Sequence, residues 1–148
     1  MAYAHGPAVG EGILQELRRC VPPRLLPAFR YCLEHPENPL SVEQVAEACG
    51  IKRRALEYRF WKAGLPAPGG CFARCRLLLA VHHLEHHTDS LEHVALDHAF
   101  ATAGALRKSA ARHLARTVNS LRRKGAFADA LAGFIDDIRQ GTRPRYDH

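Results

Sequence analysis

No hydrophobic stretch of this 148-residue chain approaches the roughly 20 residues that a membrane-spanning helix requires. Residues Met1 to Gly12 also lack the charged segment and apolar core of a secretory leader, so the reading is of a soluble, intracellular protein. Strand-like alternation of Val, Ile, Thr and aromatic residues is nearly absent, which argues against a sheet. Acidic residues are in the minority: 15 Asp and Glu face 21 Lys and Arg, a formal charge of +6. That balance favours an anionic partner, and charge alone leaves nucleic acid, an acidic membrane surface and an acidic protein open. Nor do the cysteines make a disulfide framework. Cys20, Cys32, Cys49, Cys71 and Cys75 are odd in number and spread over presumed helices; in a reducing cytosol they fit as small buried apolar residues. Cys71 and Cys75, one helical turn apart, also have the spacing of half a metal site.

What recurs from end to end is helical periodicity, so the expected fold class is all-α. Leu14, Leu17 and Val21 mark a short amphipathic piece that Pro22-Pro23 ends. Leu25, Leu26, Phe29, Cys32 and Leu33 follow as a buried helical stripe, broken from His35-Pro36 to Pro39. The pattern S-x-E-x-V-A then occurs twice, at Ser41 to Ala46 and at Ser90 to Ala95, each opening a two-helix unit. Ser41 with Gln44 has the form of a capping box, and Gly50 suits the left-handed turn that ends such a helix. A second helix is expected from about Arg53 to Lys62, burying Leu56 and Phe60. Helix, tight glycine turn and helix make a helix-turn-helix.

Gly64, Pro66, Pro68, Gly69 and Gly70 read as a loop, and Cys71 to about His87 as one long helix. After the cap at Thr88-Asp89-Ser90, the residues Leu91, Val94, Ala95, Phe100, Leu106, Ala110 and Leu114 repeat the first arrangement with a turn one residue longer. Phe127, Leu131, Phe134, Ile135 and Ile138 form a last amphipathic helix, stopped near Gly141 and Pro144. It is expected to pack on the second unit or to serve as an oligomer contact. The resulting division is an N-terminal extension at 1–23, a first helix-turn-helix subdomain at 24–66, a linker helix at 70–87, a second subdomain at 88–124, and a C-terminal helix and tail at 125–148.

Two homeodomain-like helix-turn-helix units joined by a long helix, in this order and spacing, resemble the DNA-binding domain of AraC/XylS-family transcription regulators. The resemblance covers about Leu25 to Arg123. It is carried by Leu40-Ser41 to Val45-Ala46, Gly50, Leu56, Phe60 and Gly64 in the first unit and by Arg76, Ala80 and Leu84 in the linker. Val94-Ala95, Phe100, Leu106, Leu121 and Arg122 complete the set. Departures concentrate in the second unit: Ala99-Phe100 stands where the family has Gly-Phe, and Ala110 where it has Phe. Its later Gly-x-x-Pro and Tyr-Arg pairs become Ala115, Val118 and Leu121-Arg122.

The resemblance implies a sequence-specific regulator of transcription that binds double-stranded DNA, with the second helix of each unit in the major groove. Matched position by position, the base-reading residues are Arg53, Arg54, Glu57 and Tyr58. Arg donates a planar fork to guanine O6 and N7, and a carboxylate accepts from cytosine N4. Lys52, Arg59, Lys62 and Arg76 are assigned to phosphates. The second reading surface would be Ala103, Gly104, Ala105, Arg107 and Lys108, where Ala103 or Ala105 can offer at most a thymine-methyl contact. That unit is therefore expected to anchor through Arg107, Lys108, Arg112, Arg122, Arg123 and Lys124 rather than to specify.

His82-His83-Leu84-Glu85-His86-His87 formally matches the H-x-x-E-H motif of zinc hydrolases, and His82/His86 and His83/His87 are i, i+4 pairs. A catalytic zinc needs a third ligand, a pocket and an activated water, so no enzyme is expected and no cofactor is assigned. A regulatory metal held with Asp89 or His93 is the less remote reading, beside one of exposed imidazoles with His83 or His87 partly packed. The expected protein is cytoplasmic and nucleoid-associated, a monomer or homodimer, with RNA polymerase or a separate sensor protein as further partners. The 24 residues before Leu25 are too few for a sensing domain. The leading alternative is a protein-interaction module that keeps the geometry and has lost specific reading.

Overall fold

A computed structural model describes residues 6–36, 38 and 40–141. Among these residues the chain forms eight α-helices and two 3-10 turns, with no strand. No helix among them is long and apolar enough to cross a membrane.

Helix α1 (Gly6–Arg18) is longer than its apolar marks suggested, because Ile13 joins Leu14, Leu17 and Val21 in the core. A 3-10 turn (Pro23–Leu25) leads into α2 (Leu26–Glu34), whose Ala28, Phe29, Cys32 and Leu33 are buried. Helix α3 (Val42–Ala48) opens on the capping box read from the sequence. The Gln44 N–H donates to Ser41 Oγ at 3.1 Å and the Ser41 N–H to Gln44 Oε1 at 3.0 Å. Gly50, at φ +74°, then closes α3 in a Schellman turn in which the Ile51 N–H reaches the Ala46 carbonyl at 3.0 Å. Helix α4 spans Arg53–Lys62.

The linker helix α5 runs Pro68–His86, 19 residues and so about 28 Å long. It begins before the expected Cys71. Proline fits the first helical position, where its missing N–H has no helical partner in any case, so Pro68, Gly69 and Gly70 form the first turn rather than loop. Cys71 and Cys75 are 1% and 0% exposed, and burial pushes both thiols well above their ordinary range, that of Cys71 to about 12. They are core residues rather than half of a metal site.

Helices α6 (Leu91–Asp97) and α7 (Ala103–Leu114) make the second unit, a 3-10 turn follows at Ser120–Arg122, and α8 spans Ala126–Gln140. The connection between α6 and α7, residues 98–102, is one residue longer than that between α3 and α4, residues 49–52. Helix α8 packs chiefly along α5, with further contacts to the 3-10 turn and to α1, rather than on α6 and α7. Its first turn is held by Glu85, whose carboxylate oxygens accept from the Gly125 and Phe127 N–H groups at 2.9 and 2.7 Å. At its other end Gly141, at φ +65°, lies so close to the Gly64 carbonyl that no Cβ would fit. Helix α8 therefore stops at Gly141 against the first unit; Pro144 lies outside the described residues. One continuous apolar cluster joins all these elements, from Ile13 through Phe60 and Leu79 to Val94, Leu106 and Ile138.

Candidate nucleic-acid interface

The orientation of α4 follows from two residues. Leu56 and Phe60 are 1% and 0% exposed, and Phe60 completes an aromatic triangle with Phe29 of α2 and Phe72 of α5, at centroid distances of 5.7 Å each. With that face locked inward, the opposite face must point to solvent. Arg54, Tyr58, Trp61 and Lys62 are exposed there, and Lys52 and Arg53 are exposed at the helix start. Arg53 Nε donates to Glu57 Oε2 at 3.2 Å, an i, i+4 pair whose side chains are both about half exposed. Tyr58 and Trp61 lie 5.8 Å apart between ring centroids, with Lys62 Nζ 6.0 Å from the Tyr58 ring. Arg59 is half-buried at the flank. Sequence reasoning passed over Trp61, although Arg54, Glu57, Tyr58 and Trp61 fall at i, i+3, i+4 and i+7, the spacing of a single helix face.

The second unit has the same construction with different chemistry. Thr102 caps α7 by accepting from the Ala105 N–H at 3.0 Å, and this phase turns Ala103, Leu106 and Ala110 inward. Ala103 is 9% exposed, so it belongs to the core and not to a reading surface. Gly104, Arg107, Lys108, Ala111 and Arg112 make the outer face, with Ala105 half-buried at its edge. Two arginines assigned to phosphates are instead internal struts. Arg76 donates to the Ala99 carbonyl at 2.9 Å and stacks its guanidinium 4.7 Å from the Phe100 ring. Burial lowers its basicity, a sign that it sits away from solvent. Arg122 donates to the His87 and Asp89 carbonyls at 3.1 and 2.7 Å, fastening the junction between α5 and α6. Arg123 remains exposed, with Nε on the Ser120 carbonyl at 3.2 Å.

The strut from Arg76 meets the second turn at its least comfortable point. Ala99 adopts φ +63°, the left-handed region, where glycine stands in the first unit. The Phe100 N–H still reaches the Ala95 carbonyl at 2.8 Å, the same Schellman closure as at Gly50. The replacement of glycine thus leaves the geometry of the turn intact.

The histidine run is used for packing. His83 is fully buried; its Nε2 lies 2.7 Å from Asp89 Oδ2 and its Nδ1 3.1 Å from Nε2 of the equally buried His98. Neutral rings satisfy this chain in one sense, with His98 Nε2–H donating to His83 and His83 Nε2–H donating to Asp89. Burial depresses the basicity of His83 and outweighs the opposing pull of Asp89. His82 and His86 stack with centroids 4.3 Å apart, and His82 meets Phe127 edge-on at 5.2 Å. Glu85, the acid of the H-x-x-E-H string, is committed to α8. Burial opposes its ionisation, yet the Phe127 and Gly125 N–H groups prevail and hold its carboxyl below the usual range. Among the described residues no three His, Cys, Asp or Glu side chains are arranged to hold a metal ion.

The architecture has a solved counterpart. A transcriptional regulator from Chromobacterium violaceum, described by its AraC-type DNA-binding domain, superposes with a TM-score of 0.62 and 25% identity over 68% of this chain and 89% of its own. This chain has the AraC-like fold. No family model matches the sequence, and no curated protein matches it. Besides the turn, the outward faces of α4 and α7 differ between the two units.

Proposed function

We propose that this protein binds double-stranded DNA and regulates transcription, with α4 reading bases and α7 anchoring the backbone. The observation that supports this best is the outer face of α4: a cationic surface directed to solvent by the locked contacts of Leu56 and Phe60. Arg53, Arg54, Glu57 and Tyr58 are its base-reading residues. Arg54 is one donor for a guanine edge, and Arg53 is oriented by its Nε bond to Glu57. Lys52, Arg59 and Lys62 bind phosphate around α4, and Arg107, Lys108, Arg112 and Arg123 do so in the second unit. Arg76 and Arg122 drop out of that set because each is directed to carbonyls of the protein itself.

Gly104 and Ala105 offer the groove no hydrogen-bonding side chain, so the second unit positions the protein without much sequence information. Two such helices on one spine can address adjacent major-groove segments about one DNA turn apart, so a monomer suffices. If about six phosphates are neutralised, affinity falls roughly a thousandfold between 50 and 200 mM salt. Binding of fluorescent random and library-selected duplexes across that salt range tests the reading. A selected duplex should bind more tightly than a random one, and Arg54→Ala should reduce the difference by about tenfold or more. Absence of binding at about 50 mM salt refutes DNA recognition and leaves an interaction module with this geometry.

A further inference from the structure

Trp61 and Tyr58 remain to be explained. They are 53% and 55% exposed, two of the three large hydrophobic side chains so exposed among the described residues. They do not sit at a rim or on a stray loop. Both lie on the face of α4 opposite Leu56 and Phe60, in the same i, i+3, i+4, i+7 stripe as Arg54 and Glu57. An apolar patch on the most outward line of a helix that also carries Arg54 and Lys62 calls for a partner that is anionic overall and apolar at one point. The DNA major groove is such a partner: its walls are phosphate, and the C5-methyl of thymine is the apolar group on its floor.

Resting on the DNA-binding reading above, we propose that the Tyr58–Trp61 pair is an apolar reading surface that packs on thymine methyl groups, extending the recognition face one turn beyond the residues that hydrogen-bond. Trp61 lies three residues past Tyr58, about 4.5 Å further along the helix axis. That offset lets the two rings reach different base pairs of one site rather than the same one. Their mutual contact, with centroids 5.8 Å apart and planes inclined by 37°, restricts both rings before DNA arrives. Less side-chain freedom is then lost on binding. The pair accounts for specificity that the arginines alone do not provide, since a guanidinium has no means of favouring thymine over cytosine through the methyl group.

The chain contains one tryptophan, so Trp61 reports on itself. The experiment uses the full chain and a duplex selected from a random library, with binding followed by anisotropy of the labelled DNA and, separately, by tryptophan emission. Each thymine of the selected site is also replaced in turn by uracil, which removes only the methyl. We expect DNA to quench and shift Trp61 emission, and uracil at one or two adjacent positions to weaken binding by about fourfold per methyl. Trp61→Ala should abolish the penalty at one of those positions, and Trp61→Phe should retain it. Circular dichroism of the variants checks that the exposed substitutions leave the fold in place. Binding with unchanged emission, or thymine-to-uracil penalties that all persist undiminished in Trp61→Ala, overturns the inference and leaves DNA binding standing. If no duplex binds at about 50 mM salt, the parent reading fails and takes this one with it.

Discussion

The two units differ at one backbone position in a way that allows a signed prediction. Gly50 and Ala99 close α3 and α6 with the same Schellman geometry, at φ +74° and +63°. An L-residue with a Cβ costs about 1–2 kcal/mol in the left-handed region. Glycine avoids that cost but loses about 0.4–1 kcal/mol through its greater freedom in the unfolded chain. A Cβ built on Gly50 meets nothing within 4 Å, so Gly50→Ala feels only these two effects and should destabilise by about 0.5–1 kcal/mol. Ala99→Gly reverses the same balance and should stabilise by about the same amount, less whatever the half-buried Ala99 methyl contributes by packing. With a urea m-value of about 2 kcal/mol/M, the midpoints should move by about 0.3–0.5 M in opposite directions. Thermal unfolding should show shifts of about 2–4 °C, again of opposite sign. The double variant should unfold close to wild type, because the sites are distant and share no partner. A lower midpoint for Ala99→Gly, with Gly50→Ala behaving as expected, refutes the reasoning: the second turn would then owe its conformation to packing of the Ala99 methyl.

Arg76→Ala should destabilise by about 2 kcal/mol, since it removes a charged donor from the Ala99 carbonyl and the stack on Phe100. It should leave the salt slope of DNA binding unchanged, whereas Lys108→Ala should reduce that slope by about one; a reduced slope in Arg76→Ala would show that this side chain does reach phosphate. Glu85→Gln should cost about 1 kcal/mol by removing the anion from the first turn of α8, read as a lower urea midpoint at pH 7. The pH dependence follows from His83. Its folded-state pKa lies below the unfolded value, so its stabilising effect is complete above pH about 6.5 and is lost as pH falls through the folded pKa. Half-buried His82 and His113 shift in the same direction, chiefly by burial, so the urea midpoint should fall between pH 7.5 and 5.5. His83→Gln should flatten that fall, and a midpoint that rises on acidification would contradict the assignment.

Much of the helical order was legible because local signals and burial agree. The capping box at Ser41 and Gln44, the glycine turn at Gly50 and the stripe of Leu56 and Phe60 all specify the same unit, and α4 forms where its pattern places it. The start of α5 was misread because proline and glycine mark both loops and first turns, and only the surrounding packing distinguishes the two. Ala103 was misassigned for a related reason. The Thr102 cap sets the phase of α7, and in that phase Ala103 lies inward with Leu106 and Ala110. Charged residues are harder to place, since a lone arginine in a sequence does not reveal what it will bond. Arg76 and Arg122 turned out to serve carbonyls at helix ends, a role set by long-range contacts to residues 23 and 33 to 35 positions away. The Asp89–His83–His98 chain was illegible for the same reason, as His98 gains its partner only when α6 folds back on α5.

The polar contacts of the linker bear on how the two units are held. Arg76, Arg122, Glu85 and His83 each brace α5 against the second unit or α8. The first unit is held instead by the aromatic triangle of Phe29, Phe60 and Phe72, which has no net charge to solvate or titrate. Directional hydrogen bonds fix a relative position more sharply than apolar contact, whereas apolar burial is indifferent to pH. The second unit is therefore the one whose contacts to the linker include a titratable ring, His83, and single polar groups. Its outer face carries Gly104, Arg107, Lys108 and Arg112, chemistry that tolerates small changes of placement because phosphates recur regularly along DNA. In the proposed function, base reading, which tolerates almost none, is assigned to α4, the helix anchored by the aromatic core.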